Sequence, residues 1–224
     1  MQQLVKFLFV GLFLANYVHC THAVTSEKKE NKYNYRHFGL IISGPSGVGK
    51  TTLVEELVKL HPELKISISA TTRLKRNGEI DGKSYYFLNR DKFKNLAKKD
   101  EFIEYGENYG NYYGSPKRNY VEAIENDCDV IFTLSVSGML NAIKNKKMDF
   151  VTIFVMPIST DELKSRLLTR GTENTEQINK RMNSANKEIS QAKKYNYIIY
   201  NSDFNYALKN LEAIYLAEKL KRQI

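Results

Sequence analysis

From residue 38 onward, the apolar and polar positions alternate between a strand pattern and a helix pattern. Residues 38–42 form a continuous apolar run, as expected for a strand buried on both faces of a parallel sheet. In residues 51–61, leucines and valines recur on one helical face. Leu64, Ile66 and Ile68 then alternate with polar neighbours, which predicts a second strand.

The same alternation continues to the end of the chain. Apolar segments predict strands over residues 130–136, 151–156 and 195–200. Helical patterns lie between and after them, over residues 118–125, 137–147, 160–169, 175–194 and 203–221. Strands and helices in alternation favour a parallel sheet with helices on both faces. The sequence therefore predicts one α/β domain over residues 38–224.

Residues 70–114 interrupt the alternation. This stretch is rich in glycine and carries a dense set of tyrosines. It predicts a subdomain inserted into the α/β framework, and such insertions often carry substrate recognition on a rigid scaffold.

The strongest motif lies between the first predicted strand and the first predicted helix. It matches G-x-x-x-x-G-K-[ST] and consists of Gly44, Pro45, Ser46, Gly47, Val48, Gly49, Lys50 and Thr51, followed by Thr52. The backbone N–H groups of such a loop, with the adjoining helix N-terminus, bind phosphate. We expect Lys50 to reach the β- and γ-phosphates of ATP and the Thr51 hydroxyl to ligate Mg²⁺. A glycine-rich turn without a ligand is the alternative, and the strand-to-helix context disfavours it.

Composition narrows the possible partners. The chain of 224 residues is 42% hydrophobic and 26% charged, which is ordinary for a globular protein. Its formal charge of +9 would suit nucleic acid, an anionic membrane or phosphorylated small molecules. Much of the excess comes from lysines on presumed helix surfaces, so we expect no nucleic-acid partner. The two cysteines, Cys20 and Cys128, allow no disulfide framework or cysteine-rich metal site.

Several separate motifs resemble the guanylate kinase family. They are Ser67-Ile68-Ser69-Ala70-Thr71-Thr72-Arg73, then Arg76, Gly78, Glu79, Gly82 and Tyr85, then Phe102-Ile103-Glu104 and Gly110-Asn111-Tyr112-Tyr113-Gly114-Ser115. The resemblance runs over about residues 40–203, with the motifs in the family's order. It implies a three-layer P-loop fold with a parallel central sheet, a GMP-binding insertion over residues 69–115 and a helical lid over residues 160–187.

The resemblance also implies roles for individual residues. Those that match the family residues holding the GMP phosphate are Arg73, Arg76, Tyr85 and Tyr113, with Ser115 as a further contact. Those that match the residues reading guanine are Ser69 and Glu104. A carboxylate accepts from the N1–H and the exocyclic amino group of guanine, a donor pair that adenine does not present. The implied reaction transfers the γ-phosphoryl group of ATP to GMP, with Mg²⁺ bridging the β and γ oxygens.

The lid resembles that of the nucleoside monophosphate kinases. Arg166, Arg170 and Arg181 would close over the triphosphate and the transferring phosphoryl group, and closure excludes water. A glutamate lies four residues before Arg166, so a surface ion pair is the alternative role for that arginine. After the last strand, we expect Asn201 to contact the adenine of ATP and Asp203 to cap the final helix.

One departure from the family bears on the chemistry. Thr133 and Ser135 occupy the positions of two aspartates that help to organise the magnesium and water shell and the guanine side of the site. A hydroxyl keeps a hydrogen bond but no charge, so we expect catalysis to survive with weaker acceptor or metal binding. The alternatives are a guanylate-kinase-like module that binds a protein partner, and a kinase for another acceptor such as dGMP, for which Glu104 is the discriminating residue.

Residues 1–37 form the predicted leader. Lys6 precedes an apolar run over residues 7–18 that has the length of a signal-peptide core, and residues 25–37 are a Lys- and Asn-rich linker. Together they resemble the bipartite leaders that route proteins to plastids acquired by secondary endosymbiosis, such as the apicoplast. A secretory signal or an anchor at the endoplasmic reticulum is the alternative. We favour the organelle because a kinase needs ATP, and we expect a monomer without stable membrane insertion after the leader is removed.

Overall fold

The computed structural model describes residues 35–108, 110–145, 148–169 and 175–223, so most of the predicted leader and Arg170 lie outside the described residues. A parallel sheet of five strands forms the centre. In spatial order its strands are β2 (Leu64–Ile66), β7 (Asp129–Thr133), β1 (Gly39–Ser43), β8 (Phe150–Met156) and β9 (Tyr197–Tyr200). The predicted parallel sheet is confirmed.

Helices cover both faces of this sheet. One face packs against α1 (Lys50–Leu60) and α7 (Phe204–Leu220), and the other against α3 (Lys117–Glu125) and α4 (Val136–Ala142). Two further helices, α5 (Thr160–Thr169) and α6 (Thr175–Ile189), occupy the predicted lid. Each face buries its own apolar cluster, which gives the predicted three-layer architecture. In the part of the chain that the structure describes, no helix is long and apolar enough to cross a bilayer.

The inserted segment has its own small sheet and core. The order of its strands is β4 (Tyr86–Phe87), β3 (Ala70–Thr71), β6 (Asn111–Pro116) and β5 (Phe102–Asn108), and α2 (Arg90–Lys98) packs beside them. Phe93 of α2 stacks on Phe102 with ring centroids 4.6 Å apart and on Tyr112 with centroids 5.4 Å apart. Part of the aromatic density of this segment therefore builds a core, because a unit this small has few aliphatic side chains to bury.

Several predicted boundaries differ from the structure. The helix predicted over residues 137–147 ends at Ala142, and the second strand ends at Ile66, before Ile68. The strand predicted over residues 130–136 ends at Thr133, because Ser135 caps α4 by accepting a hydrogen bond from Gly138 N–H at 3.1 Å. The helix predicted over residues 175–194 ends at Ile189 and is followed by a short 3-10 turn over Ala192–Lys194. Asp203 caps α7 as predicted, accepting from Tyr206 N–H at 2.8 Å.

A buried carboxylate ties the start of the domain to its end. Asp129 is 1% exposed and accepts hydrogen bonds from Tyr35 Oη (2.7 Å), Phe38 N–H (3.1 Å) and Tyr215 Oη (3.0 Å). Burial, reinforced by the charge of Asp129, raises the pKa of both tyrosines, so both stay protonated and donate. Tyr35 also pairs with Gln223 through a backbone bridge. The described fold thus includes residues 35–37, which the sequence analysis assigns to the leader. We call Tyr35, Phe38, Asp129 and Tyr215 the Asp129 clasp.

Candidate active site

The loop between β1 and α1 has the backbone that an anion-binding loop needs. Gly44 and Gly49 adopt φ angles of 147° and 96°, in the region that favours glycine. A β-carbon at Gly44 would lie 2.4 Å from the carbonyl oxygen of Val155, and one at Gly49 would lie 2.5 Å from Asn201 Nδ2. Both positions therefore require glycine for conformation and for space. No side chain caps the start of α1, so its first N–H groups remain available to phosphate.

Lys50 lies across this loop. Its Nζ donates to the carbonyl oxygen of Gly44 at 2.6 Å and to that of Pro45 at 2.9 Å. The ammonium group is thereby held at the mouth of the loop, where a phosphate would have to displace or share these bonds. Thr51 and Thr52 follow in the first turn of α1 with exposed side chains, and their contacts to a nucleotide or its cation stay predictions.

Asn201 stabilises the loop through a hydrogen bond to its backbone. Its side chain is 4% exposed and donates through Nδ2 to the carbonyl oxygen of Val48 at 2.7 Å. The backbone carbonyl oxygen of Asn201 accepts a hydrogen bond from Arg166 Nη2 at 3.3 Å. Arg166 also forms the ion pair with Glu162 that the sequence offered as an alternative, at 2.6 Å. The adenine contact of Asn201 and the lid role of Arg166 stay predictions, and both residues help to hold the loop.

Arg181 and Glu188 of α6 approach the loop from the lid side. Arg181 Nη1 donates to Ser46 Oγ, which places one predicted catalytic arginine on the phosphate-binding loop. Glu188 is half-buried, and burial raises the pKa of its carboxyl while the positive charge of Lys50 opposes that shift. Sequence reasoning missed Glu188, because a single glutamate in a polar helix has no pattern that distinguishes it.

Glu104 lies in the pocket predicted for guanine, and Ser115, which the resemblance gave as a contact of the GMP phosphate, is fully buried against it. They face each other across β5 and β6, next to a register shift in β5, and Ser115 Oγ donates to Glu104 Oε1 at 2.9 Å. Burial raises the pKa of Glu104 to about 6, and the hydrogen bond from Ser115 opposes that rise. Ser69 lies half-buried at the start of β3, where its carbonyl oxygen accepts from Tyr86 N–H at 2.9 Å.

Arg73, Tyr85 and Tyr113 come together as predicted for a phosphate site. The guanidinium of Arg73 lies 5.4 Å from the ring centroid of Tyr85, and the rings of Tyr85 and Tyr113 are 6.2 Å apart. Glu79 holds Arg73 with two hydrogen bonds, at 2.6 Å and 3.0 Å, and also accepts from the backbone N–H of Arg76 at 2.7 Å. The side chain of Arg76 is exposed on this loop. Glu79 belongs to the quoted motif, but its positioning role was not predicted.

The loop and the predicted guanine pocket are neighbours along one edge of the central sheet. Ile42 of β1 pairs with Thr133 of β7, and Leu134 N–H donates to the carbonyl oxygen of Ile42 at 3.0 Å. The next residue, Ser135, caps α4, which packs against β5, the strand that carries Glu104. Open α/β sheets bind ligands at this carboxyl edge.

These features define the class: a P-loop nucleotide-binding protein with an inserted recognition subdomain and a helical lid. The sequence model described as guanylate kinase matches residues 37–218. The curated guanylate kinase of Clostridium perfringens (strain SM101 / Type A) is 44% identical over 188 residues, which is 84% of this chain and 87% of that protein. That of Rickettsia typhi is 44% identical over 189 residues, which is 84% of this chain and 95% of that protein.

A solved structure agrees with these relatives. The crystal structure of guanylate kinase from Anaplasma phagocytophilum superposes with a TM-score of 0.72 at 30% identity, covering 86% of this chain and 92% of that chain. The chain belongs to the guanylate kinase family.

Proposed function

We propose that this protein is an ATP:GMP phosphotransferase, which moves the γ-phosphoryl group of ATP to GMP and gives ADP and GDP. The observation that carries the proposal is the adjacency of two different recognition sites on one sheet edge. An anion-binding loop with Lys50 follows β1, and a pocket with a half-buried carboxylate, Glu104, lies beyond β7 and α4. The arrangement provides one site for a triphosphate and another for a purine with adjacent donors.

Each site has its own task in this reaction. The loop amides and Lys50 hold the β- and γ-phosphates, and Arg181 is positioned beside Ser46 to balance charge as the phosphoryl group moves. Arg73, Arg76, Tyr85 and Tyr113 hold the GMP phosphate, so its oxygen is directed at the γ-phosphorus. Ser69 and Glu104 select guanine, and Ser115 positions Glu104 through its hydrogen bond. Arg166 and Arg170 complete the lid.

Magnesium fits the loop, although few protein groups would hold it. Among the described residues, no cluster of three or more His, Cys, Asp or Glu is placed to hold an ion by itself. The Thr51 hydroxyl is exposed at the start of α1 and would be the protein ligand, with phosphate and water oxygens completing the shell, as Mg²⁺ prefers. When bound, the ion neutralises charge on the β- and γ-phosphates. Thr133 and Ser135 add hydroxyls near this edge but no charge.

An acceptor panel tests the proposal. The purified full chain is incubated with ATP, Mg²⁺ and either GMP, dGMP, AMP, IMP or CMP, and ADP release is measured. We expect the highest kcat/KM with GMP. If none of these acceptors is phosphorylated, the proposal is overturned and a protein-binding module is favoured. The placement of Lys50 and Arg181 at the loop does not favour that alternative. A preference for another nucleotide would leave the assignment as a nucleoside monophosphate kinase in place and change only the acceptor.

The destination of the protein is part of the proposal. A signal-peptide core followed by a basic linker supports delivery to an ATP-containing organelle such as a secondary plastid, with the secretory pathway as the alternative. Residues 1–34 of this leader lie outside the described residues. A fluorescent protein fused after residue 37 tests it, and diffuse cytosolic fluorescence would rule out targeting by this segment.

A further inference from the structure

Gly138 lies where α4 faces the carboxylate of Glu104. A β-carbon at this position would lie 2.8 Å from Glu104 Oε2 and 3.2 Å from Glu104 Cδ. Real β-carbons do not approach other atoms as closely as the first of these distances. The volume that a side chain at position 138 would fill is therefore already occupied by the carboxylate of Glu104.

Other contacts keep the carboxylate against α4. Ser115 is fully buried and donates to Oε1 at 2.9 Å, so one oxygen is held while the other rests on Gly138. Behind Gly138, Ser135 Oγ is fixed by Gly138 N–H at 3.1 Å and lies 3.0 Å from Ser137 Oγ. The first turn of α4 thus forms a wall that sets the depth of the Glu104 carboxylate.

We propose that Gly138 is a positioning residue for guanine selection, and that its missing side chain sets the plane in which Glu104 presents two acceptor oxygens. The inference rests on the proposed function. The N1–H and exocyclic amino donors of guanine need two acceptors at one depth, because hydrogen bonds weaken steeply when bent. A β-carbon at position 138 would displace Oε2 while Ser115 retains Oε1, and this turns the carboxylate out of that plane.

Alanine at position 138 should leave the stability of the fold intact while it impairs GMP binding. The two nearest atoms to such a β-carbon belong to the end of the flexible Glu104 side chain, so they move at little cost, and the third, Ser135 Oγ at 3.3 Å, has to shift by only a few tenths of an ångström. Alanine is also a better helix former than glycine. Gly138→Ala should therefore keep or raise the melting temperature while it impairs the binding of GMP, which separates the two properties.

The test compares steady-state kinetics of the full-length wild type and two glycine variants. Gly138→Ala should raise KM for GMP roughly tenfold or more, with kcat changed far less, and lower the preference for GMP over IMP. Gly106→Ala is the matched control: it lies on β5 two residues after Glu104, and a β-carbon there would meet nothing within 4 Å. We expect wild-type kinetics for Gly106→Ala.

A rescue variant distinguishes positioning from general damage. Glu104→Asp shortens the side chain by one methylene, which leaves room for a β-carbon at position 138. The double variant Gly138→Ala/Glu104→Asp should bind GMP roughly threefold or more better than the product of the two single effects predicts. Multiplicative effects, an unchanged KM in Gly138→Ala, or loss of its folded state would each overturn the inference. Absence of GMP turnover by the wild type would instead refute the proposed function.

Discussion

Replacing Glu104 by Gln should greatly weaken the selection of guanine. Glutamine keeps the shape of the side chain but offers only one acceptor oxygen. Its NH₂ group would face one of the two N–H donors of guanine, where no hydrogen bond can form. Hydrogen bonds to a charged group contribute about 1.5–3 kcal/mol each, so losing the charge and one acceptor costs about 3 kcal/mol, or roughly 100-fold in kcat/KM for GMP. The hydrogen bond from Ser115 survives, because the remaining oxygen can still accept it.

The pH profile provides a second measurement of the same residue. Burial raises the pKa of Glu104 to about 6, and only the ionised carboxylate accepts from both donors of guanine. The KM for GMP should therefore be flat above about pH 7 and rise about tenfold per unit as the pH falls below the pKa. The phosphate of GMP titrates in the same range, at about pH 6. Glu104→Gln is the matched control, because it keeps the phosphate titration and lacks the carboxyl group.

The assay measures ADP release from about pH 5 to pH 8 with GMP and with IMP, which lacks the exocyclic amino group. The wild type should show a steeper rise in KM for GMP than Glu104→Gln, and the variant should lose most of the preference for GMP over IMP. Identical pH profiles in the two proteins, or an unchanged preference, would refute the role of Glu104 as the guanine acceptor.

Three further changes test the loop and the Asp129 clasp. Arg181→Lys keeps a charge but removes the planar fork at the loop, so kcat should fall roughly 10- to 100-fold with little change in melting temperature. Asn201→Ala leaves a buried carbonyl without its donor, which costs about 2 kcal/mol and lowers the melting temperature by roughly 4–8 °C, with a raised KM for ATP. A chain that starts at Phe38 lacks the Tyr35 donor to buried Asp129 and should melt roughly 5–10 °C below one that starts at Tyr35.

Each of these has its own control. Lys187→Ala removes a positive charge from an exposed position of α6 and should leave kcat unchanged. A wild-type kcat in Arg181→Lys would show that a positive charge alone is enough at position 181. For Asn201→Ala, a lower melting temperature with an unchanged KM for ATP would confine the residue to a structural role. Equal melting temperatures for the two shortened chains would mean that residues 35–37, including the Tyr35 bond to Asp129, contribute no stability.

The central layers could be predicted because local signals are strong there. Continuous apolar runs and one helical periodicity mark β1, α1 and β8, and the loop between β1 and α1 has a sequence that only a phosphate-binding turn explains. The end of β7 was predicted too late because Leu134 and Val136 prolong its apolar run. Ser135 was the available signal, since a serine before a helical segment is a common cap.

The inserted sheet and the Asp129 clasp have causes that are not local. Two-residue strands such as β3 and β4 carry no periodicity, and they form because β6 and the aromatic core complete them. Tyr35 finds its partner 94 positions away in the sequence, so a polar segment that looks like a linker is drawn into the fold. The position of Glu104 against Gly138 depends likewise on two elements that meet only in the folded chain.

The bridge between Tyr35 and Gln223 also has a consequence for protein engineering. Both ends of the described chain lie beside the amino end of β1, and the five residues of that strand separate them from the nucleotide loop by about 15 Å. A short linker would join the two ends, and new ends opened in the exposed turn after α2, near Asp100, would give a circular permutant. Fusion partners joined directly at Tyr35 or Gln223 would lie at the edge of the sheet opposite the nucleotide loop.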